Sequence, residues 1–189
     1  MKVYYIHINN DDETGMDAIS LVDAPAVQYT FLKFSKKSNV MQFRDETKHV
    51  ITGVVMLADT PIYRYSQEMG EYWIVFEKDT IRQMVEKYAK QDRFNSVNLD
   101  HDNQRFTDNV YLIESYLIDK ERGLCPKEFE DVPDGSWICS FKVEDENLWK
   151  EITTSDRYTG FSLQGLFDLS TEPVKEETED ELIDSMLEK

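Results

Sequence analysis

Three histidines occur in the 189-residue chain, and one stands where an imidazole can move protons. His101 follows the stretch Ser96-Val97-Asn98-Leu99 and lies within Asp100-His101-Asp102. A neighbouring carboxylate there can orient the ring and hold its tautomer. His7 lies in an apolar N-terminal stretch and His49 borders Val50; neither stands among polar groups. Asp100-His101-Asp102 also fits a metal-ligand pair in type. Such a site needs further ligands at matching spacing, and the sequence has no H-x-x-x-H or C-x-x-C pair. No metal and no organic cofactor are expected.

The candidate nucleophile is Ser162, in Gly160-Phe161-Ser162-Leu163-Gln164-Gly165. Small residues on both sides let the backbone turn tightly and let a substrate carbonyl approach. Backbone N–H groups near Leu163 and Gln164 can stabilise an oxyanion. The run is close to the G-x-S-x-G nucleophile elbow but departs from it, because Gln164 stands where glycine is required. Taken singly, an Asp-flanked histidine reads as a surface turn and a glycine-flanked serine as a bend. Taken together they read as acyl-transfer chemistry: His101 takes the Ser162 proton, the oxygen attacks a carbonyl, and protonated His101 supplies the leaving amine.

The elements around these residues are mostly strands. Residues 1–10 read as a strand closed by the Asn9–Asp12 cluster. The apolar segment 18–34 is interrupted at Pro25, which blocks a central strand there. Residues 35–48 are polar and read as a loop or edge. VITGVVML, EYWIVFE, SVNLDH, VYLIESYLI, SWICSFKV and GFSLQGLFDL follow as strands. In DTIRQMVEKYAKQ, Ile81, Met84, Val85, Tyr88 and Ala89 mark one helical face, with Asp79 or Thr80 able to cap its start. A second, short helix is expected at ENLWKEIT. The pattern gives an α+β, mainly β fold, an antiparallel β-barrel or curled sheet with a few surrounding helices. Residues 1–170 form the expected domain.

Beyond Ser170 the chain turns acidic. Residues 171–189 read as a solvated tail, a loosely docked helix, or a removable docking extension whose apolar face is Leu182, Ile183, Met186 and Leu187. The whole chain carries net charge −17, with 40% hydrophobic and 12% aromatic residues. That supports a packed core. The surface charge disfavours nucleic acid and anionic membranes, leaving proteins or peptides as partners. No apolar stretch approaches the roughly 20 residues that span a bilayer, and the start resembles no secretory signal, so cytoplasmic work is expected. Cys139, in an apolar run, reads as an ordinary buried thiol.

Several stretches together resemble one family. They are ISLVDAPAV at 19–27, VITGVVMLADTPIYR at 50–64, EYWIVFEKDTI at 71–81, VNLDHD at 97–102, VYLIESYLID at 110–119, GSWICSFKVEDENLW at 135–149 and GFSLQG at 160–165. The sequence is similar to the prohead proteases of tailed phages, in their serine-protease branch. This resemblance implies a herpesvirus-assemblin-like barrel and a Ser–His pair at Ser162 and His101. It also implies cleavage of scaffold and capsid proteins inside the assembling procapsid, within the host cytoplasm. A head-assembly protein that kept the fold and lost activity is the alternative.

The third catalytic member has several candidates. Glu114 ranks first, because it interrupts the apolar run VYLIESYLI and needs a partner if buried. Its plainer reading is a structural carboxylate paired with a lysine or arginine. Asp168 follows Ser162 on the next stretch. ISLVDAPA also resembles a segment near the C-terminus of other prohead proteases, so a permuted order would bring Asp17 or Asp23 to the site.

Overall fold

The computed structural model describes residues 2–9, 14–22, 32–34, 48–102, 107–154 and 158–172. Strands β1 (Lys2–His7), β2 (Gly15–Val22), β3 (Leu32–Phe34), β4 (Val50–Met56), β5 (Ile62–Ser66) and β6 (Gly70–Val75) come first. Helix α1 (Lys78–Lys90) then leads to β7 (Val97–Leu99) and β8 (Val110–Leu117). Beyond a single turn at Lys127–Phe129 come β9 (Trp137–Val143), helix α2 (Glu146–Thr154), β10 (Gly160–Leu166) and β11 (Asp168–Ser170).

These strands form three sheets, ordered β11-β1-β6-β5, β10-β2-β7 and β3-β4-β9-β8. The described residues are mainly β with two α-helices, and they form no closed barrel. Nor is the pairing purely antiparallel: β1 runs parallel to β6, and β2 parallel to β7. Two consecutive N-terminal strands thus pair with two strands from mid-chain, and α1 carries the chain between the two sheets. The stretch expected as one strand over 160–169 breaks at Phe167. Its halves go to different sheets, β10 to β2 and β11 to β1.

The helix follows its expected period. Ile81, Met84 and Tyr88 are buried along one face, Ile81 and Met84 each contributing on the order of 1.5–3 kcal/mol. Its N-cap is Glu77, without a side-chain capping bond, so Asp79 and Thr80 fall inside the first turn. Asp79 near the start and Lys87 and Lys90 near the end still suit the helix dipole. Lys87 Nζ also donates to the carbonyls of Asn9 and Thr14, tying the helix end to the start of β2.

The core joins the three sheets. Tyr88 meets Trp137 edge-on, and Phe141 of β9 lies 5.0 Å from Phe161 of β10 by ring centroids. The second contact anchors β10, one residue before Ser162, against β9. Cys139 is fully buried and its thiol pKa is pushed up by desolvation. Residues 173–189, residues 35–47, Pro25 and Asp23 lie outside the described residues.

Candidate active site

Sheet register builds the site. In the antiparallel pair β10/β2, Ser162 stands opposite Ser20; in the parallel pair β2/β7, Ser20 stands opposite Asn98. Directly opposed residues share a sheet face, so three polar side chains lie in a row across three strands. β2 is the central strand and Ala18, Ile19, Leu21 and Val22 are buried beside Ser20. Ser20 and Asn98 are themselves wholly buried. Buried hydroxyls and amides must be hydrogen-bonded, and these are: Ser20 Oγ donates to Asn98 Oδ1 at 2.5 Å. Asn98 Nδ2 donates to Gln164 Oε1 at 2.6 Å.

His101 is laid over this row by the turn after β7. Asp100 and His101 both have φ of 58°, the left-handed region that costs L-residues about 1–2 kcal/mol each. Backbone bonds from Asp100 N to Leu21 O and from Asp102 N to Leu99 O, both 3.0 Å, hold the reversal. The buried Tyr158 places its hydroxyl 3.4 Å from Asp100 Oδ2 and donates to it. Asp and His enter this region more readily than most residues, as Asp59 and Asp92 do elsewhere in the chain, and here the turn serves to lay the imidazole over the polar row.

Both ring nitrogens of His101 are engaged. Nε2 lies 3.0 Å from Ser162 Oγ and Nδ1 lies 2.9 Å from Ser20 Oγ. The network fixes the tautomer. Ser20 has one hydroxyl proton, and Asn98 Oδ1 takes it. Ser20 Oγ therefore accepts from Nδ1–H, which leaves Nε2 unprotonated and facing the Ser162 hydroxyl. That is the form a general base requires. Desolvation pulls the His101 pKa below its ordinary 6.5; Asp100 raises it and the cationic Arg64 lowers it further. At neutral pH the ring is accordingly neutral and able to accept a proton.

Of the residues singled out by sequence, Ser162 and His101 are brought together from 61 positions apart. The hydrogen bond at Nδ1 goes to Ser20, not to Glu114. Glu114 faces Ser140 across the β8/β9 pair, and Ser140 faces Thr52 across β9/β4. The Ser140 hydroxyl donates to the Glu114 carboxylate, and Thr52 and Ser140 are joined at 2.8 Å. This polar row belongs to the third sheet, which is why the carboxylate that interrupts an apolar run needs neither lysine nor histidine. Asp168 accepts from Asn9 Nδ2 at 2.9 Å, and Asp17 pairs with Arg93 at 2.9 Å. His49 stacks on Trp149, with ring centroids 4.6 Å apart.

Ser20 and Asn98 were not among the sequence candidates. Their signal was a polar residue inside an apolar run, in AISLV and SVNL. Gly165 also takes on another meaning. A Cβ there would stand 2.1 Å from the carbonyl oxygen of Gly15. The residue therefore permits close contact with β2 at the bulge between Gln164 and Gly165, rather than a tight turn. Ser162 itself sits within an extended strand, not on a strand-to-helix elbow.

No cluster of metal-ligating residues occurs among the described residues. A serine hydroxyl facing an unprotonated imidazole nitrogen, with the other nitrogen held by a buried oxygen, has the geometry of a serine-hydrolase centre. The chain belongs to the family described as "Putative phage serine protease XkdF", whose model matches residues 37–171. That span contains Asn98, His101, Ser162 and Gln164, whereas Ser20 lies upstream of it. No curated protein and no solved structure matches the chain.

Proposed function

We propose that the protein is a serine endopeptidase in which Ser162 is the nucleophile, His101 the general base and Ser20 the residue that orients His101. The observation that carries this reading is the unbroken chain Ser162 Oγ–His101 Nε2, His101 Nδ1–Ser20 Oγ, Ser20 Oγ–Asn98 Oδ1. His101 takes the proton of Ser162 as its oxygen attacks the scissile carbonyl. The imidazolium that forms keeps its Nδ1 bond to Ser20 and passes the Nε2 proton to the leaving amine. Water then reverses the sequence and frees the acyl product.

β10 supports the binding of an extended substrate. Among the described residues it is an edge strand, hydrogen-bonded within its sheet to β2 alone. Alternate backbone groups of an edge strand face away from its partner. A peptide can add to that edge, and backbone N–H groups near Leu163 and Gln164 can receive the oxyanion.

The substrates in this reading are scaffold and capsid proteins of a tailed phage, cut inside the procapsid in the host cytoplasm. The phage protease family and the sequence likeness to prohead proteases support this. Kinship with the assemblin-like fold is part of the same proposal. The test is co-expression with the phage's scaffold and capsid proteins. Processing should occur with the native chain and stop with Ser162→Ala. Processing that persists in Ser162→Ala would move the nucleophile elsewhere.

A further inference from the structure

Beside Ser162 lies a cavity of about 160 Å³. A cavity of about 150 Å³ accepts a benzene ring, so this one takes a medium-sized side chain. Val55, Ile62, Ile74 and Phe76 form apolar walls, and Ser162 stands among the lining residues. One lining residue is charged: Arg64, on β5. Its side chain is half-buried, and burial pulls its pKa below the ordinary value. The guanidinium keeps its charge at any physiological pH.

Arg64 is underused where it stands. Nη1 donates to the carbonyl of Tyr63 at 3.0 Å, which occupies one of five donors. Among the described residues no carboxylate forms an ion pair with it. Placing a guanidinium against apolar walls without an anion is costly unless an anion arrives with a ligand. Arg64 and Ser162 line the same cavity, which brings the cation near the reacting atoms. The rest of the molecule is strongly acidic, with net charge −17. The molecule at large repels acidic groups, so only a local cation such as Arg64 can hold one here.

We infer that this cavity is the specificity pocket and that it selects a substrate with a glutamate or aspartate side chain immediately flanking the scissile bond, held by Arg64. This deepens the protease reading and rests on it. The carboxylate enters along the apolar walls, which hold its methylene stem, and meets the guanidinium fork at the end. A glutamine of the same shape lacks the charge, and a lysine meets like charge.

The experiment is a cleavage-site profile. The full-length protein is incubated with a proteome-derived peptide library, and new termini are read by mass spectrometry. Ser162→Ala serves as the control that defines which cuts belong to this site. Ser162-dependent cuts should be enriched in Glu or Asp at one flanking position. On matched peptides, Arg64→Gln should reduce the Glu-over-Gln preference roughly 10–100-fold, the worth of a charge-assisted bond. Arg64→Glu should shift preference towards Lys or Arg. Ser162-dependent cuts without acidic enrichment would overturn the pocket assignment and leave the protease reading standing. So would a Glu preference that survives Arg64→Gln. Absence of any Ser162-dependent cut would overturn both.

Discussion

At the scale of single residues, the account rests on a neutral His101 with its proton on Nδ1. Burial lowers the pKa of His101 below 6.5 and Asp100 opposes that shift. Only the neutral ring acts as a base, so kcat/KM should rise through an acid limb lying below pH 6.5 and stay high above it. Asp100→Asn removes the charge that raises the pKa while tolerating the left-handed backbone. Its acid limb should therefore move to lower pH, and a shift to higher pH would refute the assignment. Ser20→Ala removes the oxygen that receives Nδ1–H. It should lower kcat roughly 10–100-fold with a smaller change in KM. The nitrogen chemical shifts of His101 should at the same time show loss of the single Nδ1–H tautomer. A variant with normal kcat and an unchanged tautomer would make Ser20 merely structural.

At the scale of elements, the sequence was most legible where one strand or helix carries its own signal. The α1 period and the apolar runs of β4, β6 and β9 depend on local alternation and propensity. Ser162 and His101 were readable because their types and flanks suggest chemistry without reference to distant strands. Ser20 was not, because its meaning depends on two pairings, with Asn98 78 positions away and with Ser162 on β10. A lone serine in AISLV looks like a tolerated interruption until register places it between the other two. Glu114 gave the same kind of signal, yet register sent it to Ser140. Alternation is also blind to strand direction, which is why the parallel β1/β6 and β2/β7 pairs were not foreseen. Gly165 offers an element-scale test. Gly165→Ala forces a methyl against the Gly15 carbonyl at the bulge. It should cost about 1–3 kcal/mol of stability in a denaturant titration, and it should weaken activity through Gln164 and Ser162. Unchanged stability would mean that β10 and β2 do not approach as described.

At the scale of the whole molecule, three sheets share one core, and the second sheet carries the proposed catalytic row on its central and flanking strands. The site needs all three segments of the chain at once: β2 from the start, β7 and its turn from the middle, and β10 near the end of the described residues. A net charge of −17 makes the compact state repel itself. Thermal stability should therefore rise as salt goes from about 10 mM, where the Debye length is about 30 Å, to about 0.15 M, where it is about 8 Å. A Tm that falls over that range would show that ion pairs outweigh the repulsion.

The central claim is that Ser162 is activated by His101, and covalent labelling tests it most directly. A fluorophosphonate reacts with a serine only when its hydroxyl is made nucleophilic, and peptide mapping locates the adduct. The account predicts a single adduct on Ser162 in the native chain. It predicts loss of labelling in Ser162→Ala and in His101→Ala alike, because members of such a unit fail together. An adduct on another serine, or full labelling of Ser162 without His101, would contradict it.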